Sequence, residues 1–378
     1  MKIEYYKHQL SEENFPELKE ALNAMIVSSG LITEKFENRF ARYLGVRRAV
    51  GVSSCTAALF LCLKSWGICH GDEVLVPAMT FVATPNAVMQ TGATPVFVDI
   101  EPETGLIDLF DAQRKITRKT RVMIPVHLYG QMVDMEAIRE LNYVASLTIL
   151  EDAAHCIEGS HEGIKPSQFS DAACFSFSPV SNITCGKGGA VATNHDLLAD
   201  KIKILSQYGL SKDTVMIDTN FKHWDMIELG YNDNMNDIQA ALLLPQIEHI
   251  TTYHKRREYL YNYYISKLSE ASLPITWPVC DPKAQHAYNL FVIRVDSCLR
   301  DKLILFLQEK GVVTDIAYRA VHLHSYYRKY LGTKPGMCPH AEKMGDEVIS
   351  LPFYPKLETR SIDYIVEELT EFFEKEAV

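Results

Sequence analysis

The apolar positions of this chain change spacing several times, and each change marks an element. From Leu18 to Leu44 they recur at helical spacing, which predicts helix over residues 15–45. Gly51-Val-Ser-Ser-Cys-Thr-Ala-Ala-Leu reads as a turn of small residues running into an apolar helix that ends near Gly67. Short β-rich runs follow: Glu73-Val-Leu-Val-Pro, Thr94-Pro-Val-Phe-Val-Asp, Thr120-Arg-Val-Met-Ile-Pro-Val, Leu147-Thr-Ile-Leu-Glu-Asp, Ala172-Ala-Cys-Phe-Ser-Phe and Gly189-Ala-Val-Ala-Thr. Runs apolar on both faces, separated by helical stretches, predict a mostly parallel sheet covered on both sides, an α/β fold. A long helix is expected from Asp237, kinked at Pro245 and continuing to Leu268. After His286 come a strand (Asn289 to Val295), a helix (Arg300 to Lys310) and a closing helix from about Arg360 to Lys375. The length, 378 residues, favours two domains: a large one over 1–250, N-terminal segment included, and a smaller C-terminal α+β domain over 251–378.

Composition narrows the function classes. A hydrophobic content of 47% with 23% charged residues is that of an ordinary globular protein with a sizeable core. The net charge of −10, with no basic run interleaved with aromatics, argues against a nucleic-acid partner. Met1-Lys-Ile-Glu-Tyr-Tyr-Lys lacks the apolar core of a signal peptide, and no apolar stretch is long enough to cross a bilayer, so no membrane partner is expected. Nine cysteines without a scaffold pattern suit a reducing cytoplasm. Cys55, Cys62, Cys69 and His70 lack the paired short spacing of a metal site and read as core thiols, so no metal is expected.

Pyridoxal phosphate chemistry asks a protein for a lysine to hold the aldehyde, a carboxylate for the pyridine nitrogen, an aromatic or apolar face for the ring, and a phosphate cradle. Three of the four have candidates. Asp152 ends an apolar strand and precedes Ala153-Ala-His155; a buried carboxylate needs a partner, and a pyridinium N–H is one. The competing reading of Asp152 is a helix cap. Ser54, Cys55 and Thr56, at a helix N-terminus, offer free N–H groups and hydroxyls for a phosphate, although Ser and Thr are also ordinary caps. Ser176 adds a hydroxyl, and Phe81 is either the ring face or a core residue.

In order, Gly51-Val-Ser-Ser-Cys-Thr-Ala-Ala-Leu, Pro77-Ala-Met-Thr-Phe-Val-Ala-Thr, Glu151-Asp-Ala-Ala-His and Phe175-Ser-Phe-Ser-Pro-Val-Ser-Asn-Ile-Thr-Cys-Gly-Lys-Gly-Gly resemble the nucleotide-sugar aminotransferases of the DegT/DnrJ/EryC1/StrS family. Leu229-Gly-Tyr-Asn-Asp-Asn-Met-Asn-Asp-Ile-Gln-Ala-Ala, Val321-His-Leu-His-Ser-Tyr-Tyr-Arg and Leu351-Pro-Phe-Tyr-Pro extend the likeness over nearly the whole chain. The resemblance implies the fold type I architecture of aspartate aminotransferase, with pyridoxal or pyridoxamine 5′-phosphate as cofactor. It implies transfer of an amino group from glutamate to a nucleotide-linked ketosugar, most similar to enzymes acting at C4, for amino-sugar and lipopolysaccharide biosynthesis. By the same resemblance Asp152 pairs with the pyridine nitrogen, Phe81 or His155 flanks the ring, and Ser54, Cys55, Thr56 and Ser176 bind the phosphate. The family's active sites are shared in a homodimer, so Asn232 or Asn234 is expected at the neighbouring subunit's cofactor, and His322, His324 and Tyr318 on the sugar-nucleotide side.

One position departs. Counting from Phe175-Ser-Phe, Ser181 stands where the family keeps its catalytic lysine. A hydroxyl forms no Schiff base and is too weak a base for the proton shift of transamination. Lys187, six residues on between glycines, reads as a loop charge rather than a substitute. Ser181 fits either an engineered substitution that traps a cofactor adduct or natural divergence. The alternatives to an inactive or trapped aminotransferase are a lysine-free sugar 3-dehydratase and a non-catalytic binding or regulatory protein. Ala317, where relatives often carry His, is a second and smaller departure.

Overall fold

The structure, a computed structural model, describes residues 1–12, 15–25, 27–211, 215–216 and 222–376. Its centre is a seven-stranded sheet built from β1 (Arg48–Val52), β2 (Glu73–Pro77), β3 (Thr94–Val98), β4 (Thr120–Met123), β5 (Thr148–Asp152), β7 (Ala172–Ser176) and β8 (Gly189–Thr193), in the order β1-β8-β7-β5-β4-β2-β3. Between β5 and β7 a two-residue strand, β6 (Ser160–His161), leaves the sheet to pair with Ala284–Gln285. The pairings from β7 across to β3 are parallel, and β8 runs antiparallel to both its neighbours. The six apolar runs of the sequence thus all become strands of one sheet. Each is apolar on both sides because helices cover both faces.

On one face α3 (Cys55–Ser65), α4 (Ala83–Gln90) and α7 (Asp196–Ser206) pack over Val50, Val74, Val122, Leu150, Cys174 and Val191. On the other, α2 (Leu31–Leu44) and α8 (Asp237–Glu248) cover Ala173, Phe175, Ala190 and Ala192. Phe40 meets Phe175 and Phe177 edge-on at 5.0 and 5.5 Å, contacts that add about 0.5–1.5 kcal/mol each beyond area burial. The C-terminal unit packs α9 (Ile250–Ala271), α10 (Ser297–Glu309) and α13 (Thr359–Glu376) against the antiparallel pair Phe291–Arg294 and Val348–Leu351. Two short helices, α11 (Ser325–Leu331) and α12 (Pro339–Glu347), tie that unit back to the sheet through Tyr327 and Met344.

Three expectations shift. The helix predicted over 15–45 is two, α1 (Phe15–Asn23) and α2, because the chain is extended at Gly30 (φ −126°, ψ −150°). The turn is fixed from far away: Asp237 Oδ1 accepts N–H bonds from Gly30 (2.8 Å) and Thr33 (2.9 Å) and the Thr33 hydroxyl (2.6 Å). The long helix breaks at His249 rather than Pro245, which sits within α8. The N-terminal segment also leaves the large unit. Ile3 donates to Gly311 O (2.8 Å) and accepts from Val313 N–H (3.0 Å), burying its side chain in the C-terminal core. Among the described residues no helix is long and apolar enough to cross a membrane.

Candidate active site

The C-terminal ends of β5 and β7 and the N-termini of α3 and α4 converge on Asp152. Its carboxylate is 5% exposed. Oδ2 accepts the Thr84 hydroxyl (2.7 Å), and Oδ1 accepts the Ala154 N–H (3.1 Å) and the Cys55 thiol (3.9 Å). Burial pushes its pKa above the usual carboxylate value, and these donors only partly oppose the shift. Its hydrogen-bonding partners are all neutral, so a cationic ring N–H arriving beside it would supply the charge the site lacks.

Cys55 links that carboxylate to the cradle, being the first residue of α3. Ser54 is extended (φ −170°) and its Oγ accepts the Ala57 N–H at 3.1 Å, a regular N-cap. The first internal bond of the helix runs from Ala58 N–H to Ser54 O, so the Cys55 and Thr56 amides precede the helical ladder and suit an anion. Gly189 lets β8 press against this turn: a Cβ there would stand 2.3 Å from the Ser54 carbonyl carbon. Ser53 donates its N–H to Asp233 O (2.7 Å) and its hydroxyl to Asp233 Oδ1 (2.8 Å). Asn232 is exposed, and Asn234 donates to Ser28 O at 3.3 Å. The segment carrying both asparagines is therefore clamped to its own chain's cradle through the residue between them, a role the sequence did not disclose.

The ring wall is aromatic and open. Phe81, in the loop between β2 and α4, is 55% exposed and packs on Tyr318 at 5.7 Å. His155 stacks on the other side of Tyr318 (5.9 Å, 21°). Its Nδ1 accepts the Tyr129 N–H at 3.2 Å, so the neutral ring carries its proton on Nε2 and donates to Tyr318 Oη at 3.0 Å. Burial lowers the imidazole pKa to about 4, which keeps the ring uncharged at neutral pH.

Ser181 closes the constellation differently. It is 9% exposed and ends a tight turn, donating its N–H to Ser178 O at 3.1 Å. Its Oγ accepts the Ser178 N–H (3.2 Å) and lies 3.0 Å from Ser178 Oγ; Ser176 Oγ receives the same N–H at 3.3 Å. The next residue anchors the turn from behind. Asn182 Nδ2 donates to Glu158 Oε2 (2.6 Å) and Ala287 O (2.9 Å), its Oδ1 accepts from Asn289 (2.9 Å), and its carbonyl accepts Arg257 Nη2 (2.9 Å). Arg257 and Glu158 form a buried pair at 3.7 Å. Lys187 is exposed at the turn before β8, where its carbonyl accepts Gln239 Nε2 at 2.6 Å.

His322 does not line an open surface. It is 0% exposed, with Nε2 2.9 Å from Glu342 Oε1 and its ring against Phe97 at 6.0 Å. His322 lies in the one-turn 3₁₀ helix Val321–Leu323, where its side chain is buried. His324, one residue beyond that turn, is half-buried at the mouth of a groove beside α4. Thr84 and the Asn182 anchor went unassigned in the sequence although both lie inside quoted motifs; a polar residue opposite an apolar strand end was the available signal.

Similarity to known proteins covers the whole arrangement. Residues 8–370 match the DegT/DnrJ/EryC1/StrS aminotransferase family. The chain is 36% identical over 365 residues to the spore coat polysaccharide biosynthesis protein SpsC of Bacillus subtilis, covering 95% of this chain and 94% of that protein. The crystal structure of S. venezuelae DesV in complex with a ketimine intermediate superposes with a TM-score of 0.90 at 33% identity, over 99% of each chain. PseC of Helicobacter pylori, an aminotransferase involved in pseudoaminic acid biosynthesis, gives 0.92 at 25% identity, over 99% of this chain and 100% of its own. Further matched structures hold the pyridoxal or the pyridoxamine form of the cofactor.

Proposed function

The chain belongs to the DegT/DnrJ/EryC1/StrS aminotransferase family, and from that premise we propose that its site is built to aminate a 4-keto-(deoxy)sugar carried on a nucleotide diphosphate, with glutamate as donor, for amino-sugar or lipopolysaccharide synthesis. The scaffold is that of a pyridoxal-phosphate-dependent sugar aminotransferase. The residues present fit the cofactor at three points: the buried carboxylate with neutral partners, the pre-helical amides of Cys55 and Thr56, and the exposed Phe81 ring. When bound, the cofactor supplies the electron sink for proton loss next to the transferred nitrogen. Asp152, held in position by Thr84 and Ala154, would keep the ring nitrogen's proton. Cys55, Thr56 and Ser176 would hold the phosphate, Phe81 and His155 would flank the ring, and Tyr318, hydrogen-bonded to His155, would lie on the sugar side.

The observation that carries the reading is the closed hydroxyl turn at Ser181 within an otherwise complete site. No amine stands there to carry a proton, so this chain is an inactive or severely slowed form of the aminotransferase. The exposed Asn232 and two exposed apolar groups support a homodimer with shared sites. Met25 and Leu31 on one side, and Trp224 on the other, flank Lys203 and Gln207 at the end of α7. Sedimentation of the cofactor-loaded protein at micromolar concentration should show a dimer.

The decisive experiment is Ser181→Lys. It should create a borohydride-reducible enzyme–cofactor linkage mapping to position 181 and release 2-oxoglutarate from glutamate in the presence of a nucleotide ketosugar. A variant that forms the linkage yet aminates no such sugar would return the site to a dehydratase or to binding alone.

A further inference from the structure

Glu151 and Asp152 are neighbours in β5, so their side chains leave the sheet on opposite faces. Asp152 turns to the cradle. Glu151 turns away from it and meets His127, Oε2 to Nε2 at 2.6 Å, with both side chains fully buried. We infer that Glu151 and His127 are positioning residues, which lock the loop of residues 127–133 so that His155 keeps one tautomer and Tyr318 keeps a free hydroxyl proton. The inference rests on the aminotransferase reading above and adds to it a device behind the site that sets which way a hydrogen bond inside the site runs.

The pair works as a staple. His127 donates its N–H to Asp152 O (3.0 Å), which seats it beside the end of β5, and its Nδ1 accepts the Val133 N–H (3.1 Å). A ring nitrogen that accepts from Val133 carries no proton, so the ring's proton sits on Nε2 and points at Glu151. The other carboxylate oxygen, Oε1, accepts the Ser167 N–H (2.6 Å) and the Ser170 hydroxyl. The imidazole thus joins the two ends of the 127–133 loop, and Glu151 decides which of its nitrogens can do so.

The middle of that loop reaches the site. Tyr129 lies in the left-handed region (φ 58°, ψ 0°), which a non-glycine residue keeps only where its surroundings over-determine it. Its carbonyl accepts the Asn289 N–H (3.1 Å), and the Gly130 carbonyl accepts the Ala287 N–H (2.7 Å), so the loop is held from outside as well as by the staple. In this position Tyr129 gives its N–H to His155 Nδ1 (3.2 Å), and His155 gives its Nε2 proton to Tyr318 Oη (3.0 Å). Burial pushes the Tyr318 phenol well above its usual pKa, so it stays protonated. It is therefore an acceptor toward His155 and retains its own proton for an oxygen on the sugar side. With the tautomer reversed, that proton would be committed to His155.

The test reads His155 directly, by NMR of isotopically labelled histidine ring nitrogens in the cofactor-loaded protein, with His155→Gln identifying the signals. The parent chain should show one protonated and one unprotonated nitrogen, well separated. Glu151→Gln preserves the side chain's shape, but the Ser167 N–H fixes its amide oxygen. The amide nitrogen then faces His127 and drives the ring proton to Nδ1, against Val133. In that variant the two His155 signals should converge as its tautomers mix. His127→Asn, whose carbonyl can replace Nδ1 as the acceptor for Val133, should keep them apart. Signals unmoved in Glu151→Gln would make the pair a stabilising contact only and overturn the inference. Should Glu151→Gln fail to fold, His127→Gln gives the same readout, since it can donate to Glu151 but offers Val133 no acceptor. In a Ser181→Lys background, Glu151→Gln should also lower kcat about tenfold with the reducible linkage intact; an unchanged kcat would likewise overturn the positioning role. If Ser181→Lys alone aminates no nucleotide ketosugar, the aminotransferase reading falls, and the NMR comparison still decides between staple and contact.

Discussion

The two halves of the site invite comparison. The half proposed to hold a cofactor brings together cradle amides on α3, Thr84 on α4, Asp152 on β5 and an aromatic wall of Phe81, Tyr318 and His155. The half that would perform the proton transfer is one turn, Ser178 to Ser181, whose hydroxyls satisfy one another. Yet the support behind that turn is as elaborate as any in the molecule, with Asn182, Glu158, Arg257 and Asn289 buried in one network. Burying such groups is costly unless they are paired and hydrogen-bonded, as these are. On the proposed reading, binding and chemistry are separable: one side chain at position 181 divides them, and the network behind the turn would serve as the frame that aims a lysine placed there.

The sharpest way to break the comparison is to refill the turn. Ser181→Lys should raise glutamate-dependent amination by several orders of magnitude, read as 2-oxoglutarate release. If the frame at Asn182 has slackened, the linkage will form but turnover will not follow. Next in size is the frame itself. Arg257→Ala leaves the buried Glu158 without its cation and should cost about 3–5 kcal/mol of unfolding free energy, measured by urea denaturation. A loss under about 1 kcal/mol would mean the pair is incidental. Asp152→Asn attacks the other half; it should weaken cofactor binding roughly 10–100-fold, as expected for loss of a charge-assisted hydrogen bond, in a fluorescence titration. Unchanged affinity would make Asp152 a structural cap.

The aromatic wall supplies a pH test. His155 titrates at about 4 in the fold against an ordinary value of 6.5, so between those values the unfolded chain binds the extra proton. Stability is therefore full above pH 6.5 and falls as pH drops toward 4, by on the order of 1–3 kcal/mol from this group. His286, lowered to about 3 by burial and by His254, steepens the same slope. His155→Gln should flatten the slope of unfolding free energy over that window, and an unchanged slope would remove His155 from the account. The smallest effect belongs to Thr56→Ala, where the cradle amides remain: a few-fold loss of cofactor affinity, distinguishable by titration from the larger loss in Asp152→Asn.

The chain's pattern disclosed the fold where local rules decide it. Six short apolar runs became six strands because each is buried on both faces, and the carboxylate, cradle and turn sat in recognisable motifs. What it concealed depends on residues far apart. Nothing near Gly30 announces that Asp237 will cap the turn between α1 and α2. Ile3 joins the C-terminal core through Gly311 and Val313, a pairing across 300 positions that no local period encodes. The resemblance set His322 on the sugar-nucleotide side, and nothing near it in the chain announces that its ring is buried against Glu342, twenty residues on. Asp233 was passed over for the asparagines beside it because its partner, Ser53, is distant in the chain.

Gly189 and Ser181 stand eight residues apart on the same connection, yet a lineage can afford to change them very differently. A methyl group at 189 would sit 2.3 Å from the backbone of Ser54 and force the cradle open. At 181 a smaller side chain simply folds back onto Ser178. Substitution therefore meets little steric resistance at position 181, proposed to carry turnover, and strong resistance at position 189, which shapes the proposed seat of the ligand.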